Sequence, residues 1–400
     1  MTRLSDAAHR LEGQKMFQIL ARTRKLERQG RDILHFELGD PDFDTPQHVV
    51  EAGIEALRRG DTHYVPSSGL LEMRQAAAEV TLRSRGFTPD LDQLLVCPGA
   101  NVQIYYAVAC AVNPGEEVIV PDPAFVSYFS ILRFLGCRIV RVPLDEANEF
   151  RLDPGDVERA VTDKTRMIIM NSPSNPTGAV MTEDEIRRVY EIAARHDVYL
   201  LSDEIYARMV YQDATTRHHS PSRYDLCRER TVVVNGFSKS YAMTGWRLGV
   251  VTGPAELVSK MGLLLETTTS CVSPFIQRAG IEALRGSQTA IGSMVDEFRQ
   301  RRDLIVELLN RLPGVTCLKP RGAFYVFPNI AGTGLTSEEF TETMLNEAGV
   351  AVAPGPIFGE HGEGHIRMCY ANSRARIELA VDRMRQVLDR LPAEAKHEAV

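Results

Sequence analysis

Lys239 stands eight residues before Arg247 in TVVVNGFSKSYAMTGWRLGVVTG, in a loop between two apolar, β-like runs. A lysine so placed, with Ser238 before it and an arginine beyond it, suits an amine that bonds covalently to an aldehyde bearing a phosphate. The amine must be neutral to react, and partial burial and nearby positive charge both lower its pKa. The bland alternative is a lysine facing water, as most do. Asp203 closes a second apolar run, VYLLS, where an unpaired carboxylate is costly to bury, so a cationic partner is expected. Its alternative is a strand-end carboxylate capping a helix.

The elements that must position these groups are legible from where apolar runs stop. LLVC, EVIV, MIIM, VYLLS and TVVV lead into PGANVQ, PDPAFVSY, NSPSNPTG, DEIY and NGFSKSY, all short, polar or rich in Gly and Pro. Ligands of open, mostly parallel α/β sheets bind outside the carboxyl ends of the strands, so the five loops are expected to converge on one pocket. Gly99, Ala100 and Asn101 follow LLVC and precede the helix-like VQIYYAVACAV, so their backbone N–H groups can face an anion at a helix N-terminus. Ser238 and Arg247 add a hydroxyl and a fork of donors suited to a phosphate dianion.

Alternating strand-like and helix-like segments from 45 to 294 predict an α/β domain, a mostly parallel sheet flanked by helices. Its clearest unit is a βαβ crossover from Arg166 to Glu204, in which Thr182 and Glu185 form a capping box. Residues 1–44 and 295–400 are assigned to a smaller α+β domain. It takes in a helix from Lys15 to Gln29, strands in AFYVFPNI, VAVAP and HIRMCYA, and a last helix capped by Ser373 before a frayed AEAKHEAV.

A 400-residue chain that is 44% hydrophobic and 25% charged is globular, with room for two cores. A net charge of -7 gives no footprint for nucleic acid or an anionic membrane surface. Seven scattered cysteines without CxxC spacing argue against a disulfide framework or a zinc site, and no metal is expected. The N-terminus has no signal-peptide pattern and no run approaches a membrane span, so the cytoplasm is the expected location.

FELGDPDF, THYVPSSGLLEMR, PGANVQ, NSPSNPTG, SDEIY, GFSKSYAMTGWRLG and HIRMCYANS, in that order over nearly the whole chain, resemble the class I/II aminotransferases. These are pyridoxal-phosphate (PLP) enzymes of the aspartate aminotransferase fold, fold type I. The resemblance implies that Lys239 is the Schiff-base lysine and proton shuttle, that Asp203 pairs with the pyridine nitrogen, and that Tyr206 and Asn175 contact the ring hydroxyl. It implies that Phe125 stacks on the ring, and that Gly99, Ala100, Asn101, Ser238 and Arg247 hold the phosphate. Arg367 matches the arginine that grips the substrate carboxylate, assisted by the Gly39 backbone and Asn175. Its place within an apolar strand pattern argues independently against a surface arginine. A homodimer is also implied, with Tyr64 reaching the phosphate of the neighbouring subunit.

The expected reaction is amino transfer between an L-amino acid and a 2-oxo acid in a ping-pong cycle, with 2-oxoglutarate as one acceptor. The alternative keeps the cofactor and changes the bond broken: a PLP-dependent lyase, cyclase or oxidase on the same scaffold. A PLP-sensing transcription regulator requires an N-terminal DNA-binding module, and only about forty residues precede the first cofactor motif. Aspartate specificity is in doubt, because no Lys or Arg occurs from Gly99 to Pro114 or from Gly262 to Gln277. Phe17, Tyr105, Tyr106 and Tyr325 are candidates for an apolar or mixed side-chain pocket, with core packing as the competing account. His218 and His219 offer loop donors but lack the further ligands a metal needs.

Overall fold

The computed structural model of the chain describes residues 3–391, except Glu12, Gln14, residues 212–215 and the side chains of Lys15 and Phe17. The C-terminal AEAKHEAV and the Phe17 side chain therefore lie outside the described residues.

The strands, in chain order, are β1 (Leu34–His35), β2 (Leu94–Cys97), β3 (Glu117–Asp122), β4 (Arg138–Pro143), β5 (Thr165–Asn171) and β6 (Tyr199–Asp203), followed by β7 (Thr231–Gly236) and β8 (Gly249–Thr252). The C-terminal region adds β9 (Tyr325–Val326), β10 (Val350–Ala351), β11 (Ala353–Pro354) and β12 (Ile366–Cys369). Seven of them form one sheet in the order β2-β8-β7-β6-β5-β3-β4. All its pairings are parallel except those of β8, which runs antiparallel to both β2 and β7. The fold class is thus α/β, as expected from the strand-like and helix-like alternation.

Residues alternate in direction along these strands. Val118 and Val120 of β3 pack on one face of the sheet with Ile104, Val108, Leu132 and Met261 from helices. Ile119 points to the other face, beside Ile168, Leu200 and the helical Ile186, Val189 and Ala193. Each wholly buried aliphatic side chain is worth about 1.5–3 kcal/mol, so the two covered faces fix the register. The crossover helix Glu183–Arg195 begins where expected: Thr182 accepts from the Glu185 N–H, and the Glu185 carboxylate accepts from the Thr182 N–H. Such a cap contributes about 1 kcal/mol.

A further core gathers Phe298, Phe324, Phe340, Ile377 and Met384 with Leu34 and Phe36. β1, in ILHFEL, is only two residues long, and it joins this group by pairing in parallel with β10, Leu34 against Val350. β12 pairs antiparallel with both β11 and β9. The 294/295 boundary assigned above falls inside one continuous helix, Thr289–Leu309. Ser373 caps the last helix, Arg374–Leu388. Among the described residues, no helix is long and apolar enough to cross a membrane.

Candidate active site

The carboxyl ends of β2, β3, β5, β6 and β7 lie along one rim of the sheet. Because β8 is antiparallel, its first residue lies on the same rim, with Gly249 paired to both Cys97 and Gly236. A cavity of about 410 Å³ opens there, within the range of roughly 300–1,000 Å³ usual for small-molecule sites. All five strand-end loops contribute to its wall, through Ala100 and Asn101, Phe125, Asn175, Asp203 and Tyr206, and Ser238 and Lys239. Arg247, Gly39 and Arg367 close it from the β8 end and the C-terminal region.

Lys239 Nζ donates to the Gly39 carbonyl at 2.6 Å and lies 5.7 Å from the centre of the Phe324 ring. Burial pushes its pKa down to about 8, with Asp40 and Cys369 opposing and Arg367 and Arg247 assisting. Roughly a tenth of the amine is therefore neutral at pH 7, far more than for an ordinary lysine, which a nucleophile requires. Gly39 is obligatory for this approach: a Cβ there would lie 2.0 Å from the Tyr325 hydroxyl. That hydroxyl is 2.7 Å from the Tyr206 hydroxyl.

Asp203 is 3% exposed and has no cationic partner among the described residues. Its Oδ2 accepts from the Tyr128 hydroxyl at 2.6 Å and its Oδ1 from the Ile205 N–H at 3.2 Å. Burial raises its pKa to about 6 against those two bonds, and the adjacent Glu204 charge adds to the rise. Glu204 belongs to a separate polar cluster. It accepts from Ser202 and Ser220, pairs with Arg85, and meets His218 Nε2 at 3.0 Å. Burial would raise the Glu204 carboxyl, but Arg85 and His218 outweigh it and hold the pKa at about 2.

Two arginines flank Lys239, and neither has a carboxylate within ion-pair reach among the described residues. Arg247 has a left-handed backbone, φ +52°, an unfavourable conformation for a side-chain-bearing residue that costs about 1–3 kcal/mol. It approaches the start of the helix Ala100–Ala111 so closely that a Cβ on Gly99 would lie 2.5 Å from its Nη2. Gly99 itself has φ +91°, which favours glycine again. Arg367 is wholly buried, its guanidinium carbon 4.6 Å from the centre of the Tyr325 ring and 4.8 Å from that of Phe358. Its Nη1 donates to Asn175 Oδ1 at 3.1 Å, its Nη2 to the Glu37 carbonyl and to Met16 Sδ, and its Nε has no partner.

Tyr64 stands apart from this cavity, with 86% exposure on the surface. Tyr105 and Tyr106 do not line it either. Tyr106 bonds Thr268 on the helix Ala255–Thr269, and Tyr105 packs on Tyr106 and Phe134, so both serve helix packing. Tyr325 does line it. His218 is taken by Glu204, and His219 lies 3.7 Å from Glu183.

Three residues escaped the sequence reading. Tyr128, three positions beyond Phe125 in PDPAFVSY, supports Asp203. Asn171 opens NSPSNPTG and accepts from the Asn175 N–H while donating to the Asp203 carbonyl, so it braces both neighbours. Met16 had no local signal, because its partner is 351 residues away.

The chain matches the family model "Aminotransferase class I and II" over residues 31–384. It is 42% identical over 386 residues to an aspartate aminotransferase of Pyrococcus abyssi, covering 96% of this chain and 97% of that one. It is 43% identical over 359 residues to aromatic-amino-acid aminotransferase 2 of Thermococcus litoralis, covering 89% and 92%. Among solved structures it is similar to the aspartate aminotransferase of Thermus thermophilus with maleate, at a TM-score of 0.92 and 36% identity over 97% of this chain and 100% of that one. The Rhizobium meliloti aspartate aminotransferase gives a TM-score of 0.93 at 35% identity, covering 98% and 100%.

Proposed function

The chain belongs to the aminotransferase class I and II family, and on that premise we propose a role for each group of its cavity, which receives an L-amino acid and a 2-oxo acid in turn. The protein is an enzyme that transfers amino groups with pyridoxal phosphate. That cofactor, when bound, supplies an aldehyde that bonds amines and a ring that takes up the electron pair left when the substrate Cα–H bond breaks.

The residues fit such a group. Asp203 is a buried carboxylate with no cation paired to it among the described residues, suited to a protonated ring nitrogen, and Phe125 offers a flat apolar face. The backbone N–H groups of Ala100 and Asn101, the Ser238 hydroxyl and Arg247 would hold the phosphate, in a cradle that a Cβ on Gly99 would fill. Tyr206 and Asn175 would hold the ring hydroxyl.

The observation that carries the reading is Arg367, a fully buried cation with no carboxylate partner among the described residues, in one cavity with Lys239 and Asp203. A charge so placed is costly unless an anion completes it. Arg367 binds the substrate α-carboxylate with Asn175 and the Gly39 backbone alongside, which fixes the direction of the Cα–H bond. Lys239 would hold the cofactor through its aldehyde, and its neutral amine would take the proton from the substrate Cα.

Mixing the loaded enzyme with an amino donor alone tests this. The cofactor spectrum should pass to the amine form and return when 2-oxoglutarate is added, and Lys239→Ala should hold cofactor without turnover. Product released from the donor with no acceptor present would favour the lyase, cyclase or oxidase reading. Among the described residues, the cavity lining offers a second substrate carboxylate no cation beyond Lys239, Arg247 and Arg367, which supports donors with uncharged side chains.

A homodimer belongs to the same reading, supported by the exposure of Tyr64, whose phenol completes the phosphate site of the partner subunit. Sedimentation at the mass of two chains is expected, and a fully active monomer would remove Tyr64 from that role. A cytoplasmic location is supported by seven cysteines that are all unpaired, five of them buried.

A further inference from the structure

Arg367 has five N–H donors, two on each Nη and one on Nε. A carboxylate gripped by two parallel bonds needs one of two pairs, Nη1 with Nη2 or Nε with Nη2, and both pairs draw on Nη2. Nη2 is already engaged by two acceptors, the Glu37 carbonyl and Met16 Sδ at 2.9 Å. The rings of Tyr325 and Phe358 also lie against the guanidinium. Any two-point grip therefore competes for Nη2 with these two acceptors.

They differ in how firmly they are held. The Glu37 carbonyl follows β1, where Phe36 N–H donates to the Ala351 carbonyl and the Glu37 carboxylate is tied to His35 Nδ1 at 2.8 Å. Met16 is an unbranched side chain near the start of the helix Lys15–Arg28, and its thioether is a weak acceptor. It is 6% exposed and forms part of the cavity wall.

We propose that Met16 is a displaceable occupant of the substrate-carboxylate grip: its sulfur satisfies Arg367 in the free enzyme and is expelled by the incoming carboxylate, so that it sets affinity for every substrate. This rests on the reading of Arg367 given above. Met16 acts through Arg367 and is a positioning residue; it takes no part in proton transfer.

The test is calorimetric titration of the cofactor-loaded enzyme with 3-phenylpropanoate, which has a carboxylate and an apolar chain but no amine to react. Met16→Leu keeps the volume and removes the acceptor, so binding should tighten roughly threefold to tenfold, the net worth of one weak hydrogen bond. Met16→Gln supplies a better acceptor, an amide oxygen, and binding should weaken by a comparable factor. In turnover both changes should appear in KM for donor and acceptor alike, with kcat nearly constant. A packing role alone would weaken binding in both variants, and that result, or no change in either, overturns the proposal. Arg367→Lys separates the two levels. If it binds 3-phenylpropanoate as tightly as the parent, the grip itself is wrong; if it binds weakly while Met16→Leu does not tighten, only the role of Met16 falls.

Discussion

The Tyr128 hydroxyl donates to Asp203 Oδ2 across 2.6 Å, with both side chains buried. The bond favours the ionised carboxylate, and only the ionised form can pair with a protonated ring nitrogen. Tyr128→Phe should therefore move the Asp203 pKa further above about 6. The apoprotein's affinity for pyridoxal phosphate should fall about tenfold at neutral pH, the loss of one bond to a charged group. The acid limb of that affinity should shift to higher pH. Cofactor titration from pH 5 to 8 checks this, and an unmoved limb would detach Tyr128 from Asp203.

Lys239 should titrate near pH 8, and not at the ordinary 10.5. Burial disfavours its charged form, so the neutral amine is half-populated near 8 and gains little above pH 9. Rates of adduct formation between the apoprotein and a simple aldehyde, trapped by borohydride and mapped to residue 239, should level off accordingly. A rate still climbing tenfold from pH 9 to 10 would contradict the lowered value.

Glu204→Ala removes the shared acceptor of Arg85, His218, Ser202 and Ser220 and leaves a buried guanidinium without its partner. Destabilisation of about 3–5 kcal/mol is expected in urea unfolding. The sign of the pH effect follows from a folded pKa of about 2 against an ordinary 4.5. The stabilisation is present above 4.5 and is lost as pH falls from there toward 2. The variant should accordingly lose less stability on acidification than the parent does, and parallel acid curves would argue otherwise.

Gly39→Ala sets a methyl group 2.0 Å from the Tyr325 hydroxyl and 2.8 Å from two carbons of its ring. Since ring atoms also clash, Tyr325→Phe should restore little. The displaced loop takes away the Gly39 carbonyl that holds Lys239, so turnover should drop at least tenfold while thermal stability falls by only about 1–3 kcal/mol. A fully active Gly39→Ala would mean that the loop yields without consequence.

An aromatic donor should give a higher kcat/KM than aspartate, by roughly tenfold, the usual scale of a missing ion-pair partner. A donor series at fixed 2-oxoglutarate decides this, and a preference for aspartate would point to a cation supplied by the partner subunit.

Much of the rim was legible because it is written in short contiguous words. Each strand ends in a loop whose Gly, Pro and Asn content marks the break, so Gly99, Asn175, Asp203 and Lys239 could be read before any contact was known. Contacts between distant segments were not. Met16 meets Arg367 across the length of the chain, and Tyr128 looks like ordinary helix packing until Asp203 is set against it. Tyr105 and Tyr106 misled because their helix starts at the rim, whereas five residues on they face the helix Ala255–Thr269 and Phe134. The C-terminal strands were hard to delimit because most are only two residues long, and the 294/295 boundary has no break in helical spacing to mark it.

With β8 reversed, the cavity draws all its sheet-borne groups from a single rim. The opposite rim is made of the turns at 113–116, 162–164, 196–198 and 228–230, where the Asp197 side chain is 96% exposed and Lys164 faces solvent. Those turns are the natural anchorage for a resin, a dye or a fused domain: a tether at Lys164 holds the molecule by its back and leaves the mouth unobstructed.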